Sequence, residues 1–154
     1  MRVPLLCLCA AAAGWVLTGA AFGRASAEGA PPGTSASALS GRWATPTRHG
    51  VVEIAPCGSS ICGRLIDSDG IRANAQIRDS RNANVTLRDR PLKGLTILQG
   101  FHPIPEGWDG GTIYNAEDGG LYHARITVDG ADRLRLRGCI VWPLCKVQTW
   151  TRAR

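Results

Sequence analysis

The chain has 154 residues, a formal net charge of +6 and 19 glycines. This length suits one domain rather than several. The basic excess is mild and contains no run of consecutive basic residues, which argues against nucleic acid as a partner.

The first 27 residues have the features of a secretory signal peptide. Arg2 is the only charge in the first 23 residues, an apolar run follows it, and Ala25-Ser26-Ala27 is a small-x-small cleavage pattern. The rival interpretation is an uncleaved anchor, because the run is long enough to span a bilayer. The cleavage pattern and the lack of a basic stop-transfer cluster favour a signal peptide over 1–27. We therefore expect a periplasmic or secreted protein with no transmembrane span after signal removal.

The mature chain divides into a short linker and one domain. Residues 28–38 consist mainly of Ala, Pro, Gly and Ser, which predicts a flexible tether. Residues 39–154 are long enough to bury one hydrophobic core. We expect this domain to be monomeric.

Four cysteines of the domain form two close pairs, Cys57 with Cys62 and Cys139 with Cys145. Four cysteines allow three connectivities, and we favour the local one because turn residues lie within each pair. Zinc is not favoured, since the spacings are wide for zinc cysteines and an oxidising compartment favours disulfides. The pairs therefore predict two short disulfides and no metal.

Eight β-rich runs alternate with Gly, Pro, Asn and Asp. They are 39–45, 49–55, 60–66, 94–101, 108–114, 120–128, 132–139 and 146–152. The clearest is 132–139, in which Leu134 and Leu136 alternate with three arginines, a period of two that places Leu on one face and Arg on the other.

Short turns such as Asp129-Gly130 join these runs and favour an antiparallel meander. Eight such strands close into an up-and-down barrel, which removes exposed edges. We therefore predict an all-β, antiparallel barrel of about eight strands, with a two-sheet sandwich as the alternative. Residues 67–93 predict one long loop with a helical turn near 84–88.

Several segments resemble one bacterial family, the domain of unknown function 2147. They include Gly41-Arg42-Trp43, Val52-Glu53-Ile54, Pro56-Cys57-Gly58, Cys62-Gly63-Arg64, Arg90-Pro91-Leu92, Trp108-Asp109-Gly110-Gly111-Thr112-Ile113-Tyr114 and Gln148-Thr149-Trp150-Thr151-Arg152. The resemblance covers nearly all of 39–154. It departs at Ala83, where the family pattern has Pro after Asn82, and this bears on the long loop only. The family has no established activity, so the resemblance implies fold and location rather than a reaction.

The resemblance also implies a lipocalin-like layout. Gly41-x-Trp43 on the first strand and Arg152 on the last are similar to the lipocalin Gly-x-Trp and its stacking arginine. A cation over an indole face contributes ~0.5–2 kcal/mol. The resemblance therefore implies that Trp43 and Arg152 close one end of the barrel rather than bind a ligand.

No catalytic constellation is apparent. The three histidines, His49, His102 and His123, lie apart in the sequence and outside the usual zinc and hydrolase motifs. Glu117 and Asp118 lie in a predicted turn, where acidic residues serve backbone geometry. We therefore expect no catalytic residue, no metal and no cofactor.

Aromatic and basic side chains are the remaining candidates for binding. The candidate ligand-binding residues are Trp108, Tyr114, Tyr122 and Trp142, whose aromatic area suits either a pocket or a core. A positive stripe is predicted from Arg125, Arg133, Arg135 and Arg137, which suits either a solvated face or contact with anionic envelope components.

These patterns favour a non-enzymatic binding module for a small apolar or amphipathic ligand, because an eight-stranded barrel is wide enough for one such molecule. One alternative is a structural or interaction protein of the cell envelope that contacts anionic components. The other is a hydrolytic enzyme whose residues converge only in space.

Overall fold

A computed structural model describes residues 35–154, so the predicted signal peptide and most of the predicted tether lie outside the described residues. The elements are α1 (Ala36–Leu39), β1 (Gly41–Ala44), β2 (Val51–Cys57), β3 (Ser60–Asp67), α2 (Asp69–Ala73), a 3-10 turn (Val85–Leu87), β4 (Thr96–Gln99), β5 (His102–Ile104), β6 (Gly107–Asn115), β7 (Gly120–Val128), β8 (Arg133–Val141) and β9 (Leu144–Arg152). Within this part of the chain, no helix is long and apolar enough to cross a membrane.

The strands form a closed antiparallel barrel, which confirms the predicted fold class. Neighbours in the sequence pair with each other from β1 to β4 and from β6 to β9, β9 pairs back with β1, and β4 pairs with β6. The short β5 was not predicted as a separate strand. It follows β4 after a break at Gly100, which has φ 77°, and pairs with the first part of β6, so that β4 and β5 share one position in the ring.

The barrel interior is a packed core built by strand alternation. In β8, Leu134 and Leu136 are 0% and 2% exposed, while Arg133 and Arg135 are exposed, as the period of two predicted. The large side chains that are buried with them are Leu39, Trp43, Ile54, Ile61, Leu98, Phe101, Trp108, Ile126 and Trp150. The fold therefore depends on apolar side chains from nearly every strand.

One end of the barrel is closed by Arg152. Its guanidinium lies 4.2 Å from the centre of the Trp43 ring and donates hydrogen bonds to the carbonyls of Ser40 and Ala38, at 2.6 and 2.8 Å. Gly41 has φ 125°, and a Cβ there would lie 2.7 Å from Arg152 Nη1. A side chain at position 41 is therefore excluded by both backbone conformation and space. Trp43 and Arg152, which the resemblance paired, are thus in contact where the first and last strands meet.

The structure differs from the prediction over residues 36–40. The end of the predicted tether and the start of the predicted first strand form α1, capped by the Ser35 side chain, which accepts from the Ala38 N–H. Leu39 at its end is fully buried, and its carbonyl accepts a 2.8 Å hydrogen bond from the Trp43 indole. Burial of Leu39 and the cap fix this turn, which residue composition alone does not predict.

The long loop contains the predicted helical turn. Asn84 caps the 3-10 turn by accepting from the Thr86 N–H at 3.0 Å. The helix α2 was not predicted. It is only five residues long and begins at Ser68, whose hydroxyl accepts from the Ile71 N–H at 3.2 Å, so its periodicity is too short to detect.

The loops at the opposite end of the barrel from Arg152 are joined to one another. The Arg48 carbonyl accepts from the Asp69 N–H at 2.9 Å, and the Arg48 guanidinium donates to Glu117 at 2.8 Å. Arg81 donates to the Glu117 carbonyl at 2.9 Å. Three separate loops thus cover this end together.

Two disulfides cross hairpins, in the local pairing favoured by the spacing. Cys57 is joined to Cys62 at the β2–β3 tip, and Cys139 to Cys145 between β8 and β9. The second pair is directly opposed in the strand register, with a Cα–Cα distance of 4.0 Å. Pro143 lies in the turn beyond it, after a cis peptide bond.

Removing either disulfide should lower the free energy of unfolding by ~2 kcal/mol, since each closes a loop of similar, short length. Double serine variants of each pair should therefore show similar losses in urea unfolding. The two losses should add, because the sites share no residues. A non-reducing peptide map that links Cys57 to Cys139 or Cys145 would contradict the pairing.

Arg152→Ala should lower the free energy of unfolding by about 2–4 kcal/mol, because it removes a stacked cation and three charge-assisted hydrogen bonds, to the carbonyls of Ser40, Ala38 and Ala131. Arg152→Lys should recover less than half of this loss, since an ammonium cannot bridge these carbonyls in the same plane. Arg154→Ala, at an exposed neighbouring arginine, is the control and should change stability by less than about 0.5 kcal/mol. Equal losses from Arg152→Ala and Arg154→Ala in urea unfolding would refute the closure role.

Candidate ligand-binding groove

A groove of about 720 Å³ lies between the long loop and strands β4, β6 and β7. Its lining residues are Asn82, Ala83, Asn84, Leu87, Arg90, Pro91, Lys93, Gly94, Leu95, Thr96, Gln99, Tyr114, Gly119, Gly120 and Leu121. This volume falls in the usual range of ligand sites, which combine apolar walls with a few polar groups.

The groove lies on the outer face of the barrel. The sequence-based expectation that the barrel interior could hold a ligand is wrong, because buried side chains fill that interior. Ile113 pairs with the fully buried Leu98 and packs against the core, so the next side chain along β6, that of Tyr114, points to the opposite face. Tyr114 pairs in turn with Leu121 of β7, which is 61% exposed. Tyr114 is nevertheless buried, because the long loop covers it from outside.

A buried polar network holds the loop over Tyr114. The Tyr114 hydroxyl donates to Asp79 Oδ1 at 2.6 Å and accepts from Asn82 Nδ2 at 3.0 Å. Asn82 also donates to Asp79 Oδ2 at 2.9 Å, and Arg90 forms a 2.8 Å salt bridge with the same carboxylate. The Arg90 guanidinium lies 5.1 Å from the centre of the Tyr114 ring.

Asp79 is only 1% exposed, yet its charge is balanced by Arg90 and its oxygens accept from three side chains. A buried carboxylate is tolerated when it is paired and hydrogen-bonded in this way. The network therefore fixes the loop to the barrel and provides one wall of the groove.

The sequence did not single out Asp79, Asn82 or Arg90. They occur among many other polar residues of the long loop, and no motif or spacing distinguishes them. The signals near them were the family-like segment Arg90-Pro91-Leu92 and the departure from the family pattern after Asn82.

The two tyrosines of the chain have perturbed hydroxyl groups. Burial raises the pKa of Tyr114, and the hydrogen bond to the Asp79 carboxylate raises that pKa further. The hydrogen bond to Asp118, at 2.8 Å, raises the pKa of Tyr122. Both phenols are therefore held in the neutral form as donors to carboxylates.

The four aromatic residues predicted to bind a ligand do not form one site. Tyr114 lines the groove, whereas Trp108 is 3% exposed in the core, with an indole N–H that has no hydrogen-bond partner among the described residues. Tyr122 is half-buried beside Asp118, and Trp142 is 73% exposed at the β8–β9 tip. Only Tyr114 thus belongs to the groove.

The histidines lie at the surface. His102 and His123 are exposed, and His49 is hydrogen-bonded at 3.0 Å to Asp69, a carboxylate that Arg72 also binds. This arrangement is a solvated ion network that joins a loop to α2. Over residues 35–154, no three His, Cys, Asp or Glu side chains are grouped so as to hold a metal ion.

The sequence of the domain matches a family of bacterial proteins. The model of the family described as "Uncharacterized protein conserved in bacteria (DUF2147)" matches residues 41–152, from the glycine of the closure to its arginine. The chain belongs to this family. A comparison of this DUF2147 protein with curated proteins found no match.

A solved structure has the same fold. It is the protein HP1028 from the human pathogen Helicobacter pylori, described as belonging to the lipocalin family. It is 24% identical, with a TM-score of 0.68, and the similarity covers 75% of this chain and 83% of that one. At this identity, the similarity establishes a lipocalin-like barrel for the DUF2147 chain and nothing about its ligand.

Both tyrosines should ionise above the ordinary phenol pKa of about 10 in a spectrophotometric titration of the folded protein. A raised folded pKa contributes stability that is fully present below the unfolded pKa and is lost as pH rises through the folded pKa. The free energy of unfolding should therefore fall at alkaline pH, and less so in Tyr114→Phe and Tyr122→Phe.

Tyr114→Phe should also lower the free energy of unfolding at neutral pH by about 1.5–3 kcal/mol, because Asp79 loses a buried donor. Each single Phe variant should retain one ionisation step. If both tyrosines of the folded wild-type protein ionised at the ordinary phenol pKa, the hydrogen bonds to Asp79 and Asp118 would be contradicted.

Proposed function

We propose that this DUF2147 protein is an exported, non-enzymatic binding module that holds a small amphipathic molecule in the groove between the long loop and the barrel. The observation that carries the proposal is the groove itself, in which apolar and polar side chains share one concave surface. A lipocalin-like barrel supports a binding role by analogy of fold, and two disulfides suit an oxidising compartment.

The lining favours an amphipathic ligand. Leu87, Leu95 and Leu121 supply apolar contacts, and Lys93 adds a positive charge. A molecule with an apolar body and an acidic or polar head satisfies both kinds of group. Arg90 already balances Asp79, so among the lining residues Lys93 is the cation available to a ligand.

The groove also has a wall that is fixed in advance. The Tyr114–Asp79 network holds the loop in one position, which reduces the entropy that a ligand must remove on binding. A loop of this length without such contacts would lose much of the binding energy to ordering.

Native mass spectrometry of the protein purified from its own host should reveal a bound small molecule. An anionic naphthalenesulfonate fluorophore serves as a defined probe for the groove. Leu121→Asp should weaken probe binding at least about tenfold, because it places a carboxylate on the apolar wall.

Val85→Asp is the matched control. Val85 is 65% exposed, close to the 61% of Leu121, but it is not among the residues that line the groove. Its substitution should change probe affinity less than about twofold. Equal effects of the two variants, or no ligand and no probe binding at all, would overturn the proposal.

A further inference from the structure

An exposed apolar cluster lies at the tip of the β8–β9 hairpin. Its members are Ile140 (68% exposed), Val141 (59%), Trp142 (73%) and Leu144 (64%), and the exposed Val147 (58%) lies below them on β9, opposite Arg137. Single exposed apolar residues are common, but a contiguous group of this kind marks an interaction site. It is separate from the groove, whose lining contains none of these residues.

The tip is held rigid in its exposed position. Cys139 and Cys145 are joined at its base, and Val141 pairs with Leu144 on either side of the turn. The disulfide restrains the backbone at the base of the tip, but the apolar side chains beyond it remain exposed to solvent. The bond therefore preserves the shape of an exposed tip.

A cationic surface adjoins the apolar tip. The register places Arg137 opposite both Arg125 and Val147, and Arg135 lies two residues away on the same outer face of β8. The Arg137 guanidinium is 5.5 Å from the centre of the Trp142 ring, so charge and apolar surface are continuous.

These arginines differ in how their charges are balanced. Arg125 has carboxylates of Glu106 and Asp109 within 3.6 and 3.8 Å, whereas Arg135 and Arg137 have no salt bridge among the described residues. Like charges that face each other across a strand pair destabilise a sheet. An anionic partner would relieve this repulsion.

We propose that the β8–β9 hairpin docks the protein on an anionic phospholipid bilayer. Val141, Trp142 and Leu144 enter the head-group region, and Arg135 and Arg137 bind lipid phosphates. Indole rings favour this interfacial depth, and basic residues near an anionic surface strengthen attachment.

Charge and shape favour a bilayer over a second copy of the chain. A symmetric contact through the tip is self-complementary, so it would bring the unpaired arginines of both copies towards one another. The tip is also a small convex projection, while stable protein interfaces bury ~1,200–2,000 Å² in total. A fluid surface accommodates a projection without a preformed complement.

The test uses the mature chain, with its disulfides formed, and two kinds of vesicle: phosphatidylglycerol mixed equally with phosphatidylcholine, and phosphatidylcholine alone. Partitioning should be at least about tenfold stronger to the anionic vesicles and should weaken as salt is added. Brominated acyl chains should quench Trp142, because Trp43, Trp108 and Trp150 are buried.

Two pairs of variants separate the hairpin from general surface effects. The double variant Arg135→Gln/Arg137→Gln should weaken partitioning to the anionic vesicles about fivefold for each arginine removed. The control double variant Arg64→Gln/Arg154→Gln removes the same charge elsewhere on the surface and should weaken partitioning much less. Val141→Ser should also weaken partitioning about fivefold, and Val85→Ser, at a 65% exposed valine of the long loop, should not.

Several outcomes would overturn the docking. They are equal partitioning to both kinds of vesicle, an unquenched Trp142, and equal effects of the hairpin and control variants. Sedimentation that detects a dimer dissolved by Val141→Ser would assign the tip to a second copy instead. None of these results depends on probe binding in the groove, so the two proposals fail separately.

Discussion

The contact of Arg152 with Trp43 and the carbonyls of Ala38 and Ser40 joins the two ends of the domain. Arg152 is the last residue of β9, while the two carbonyls precede β1 and Trp43 lies within it. A barrel closes only when its first and last strands pair, and β1 and β9 share just two register positions. The guanidinium thus strengthens a seam with little backbone pairing of its own.

This contact also accounts for several residues that otherwise look unrelated. Gly41 leaves room for the guanidinium, Trp43 provides the stacking face, and α1 directs its carbonyls towards it. The region could be predicted only in part. Trp43 and Arg152 were identified through a resemblance, but a four-residue helix has too few residues to be detected by periodicity.

The barrel was predictable because its strands carry local signals. In β8, Leu and Arg alternate, and short turns separate the strands, so both faces and the connections follow from neighbouring residues. The groove carries no such signal. Asp79 meets Tyr114 across a separation of 35 residues, and only the folded chain brings the two together. In the sequence, the buried aspartate Asp79 cannot be distinguished from the exposed acidic residues of the loops.

β8 shows how one strand separates folding from recognition. Its inward leucines are part of the core, while its arginines lie on the opposite, outward face of the strand. Substitution of the arginines can therefore change a surface property at little cost in stability.

The same strand relates the groove to the hairpin tip. His123 of β7 pairs with Cys139 at the base of the tip, and Leu121 of the groove lies two residues before His123 on the same outer face. A hairpin that docks on a bilayer would thus hold the groove near the head groups. An amphipathic ligand would then have a short path between the membrane and its site, which gives the position of the groove outside the barrel a physical reason.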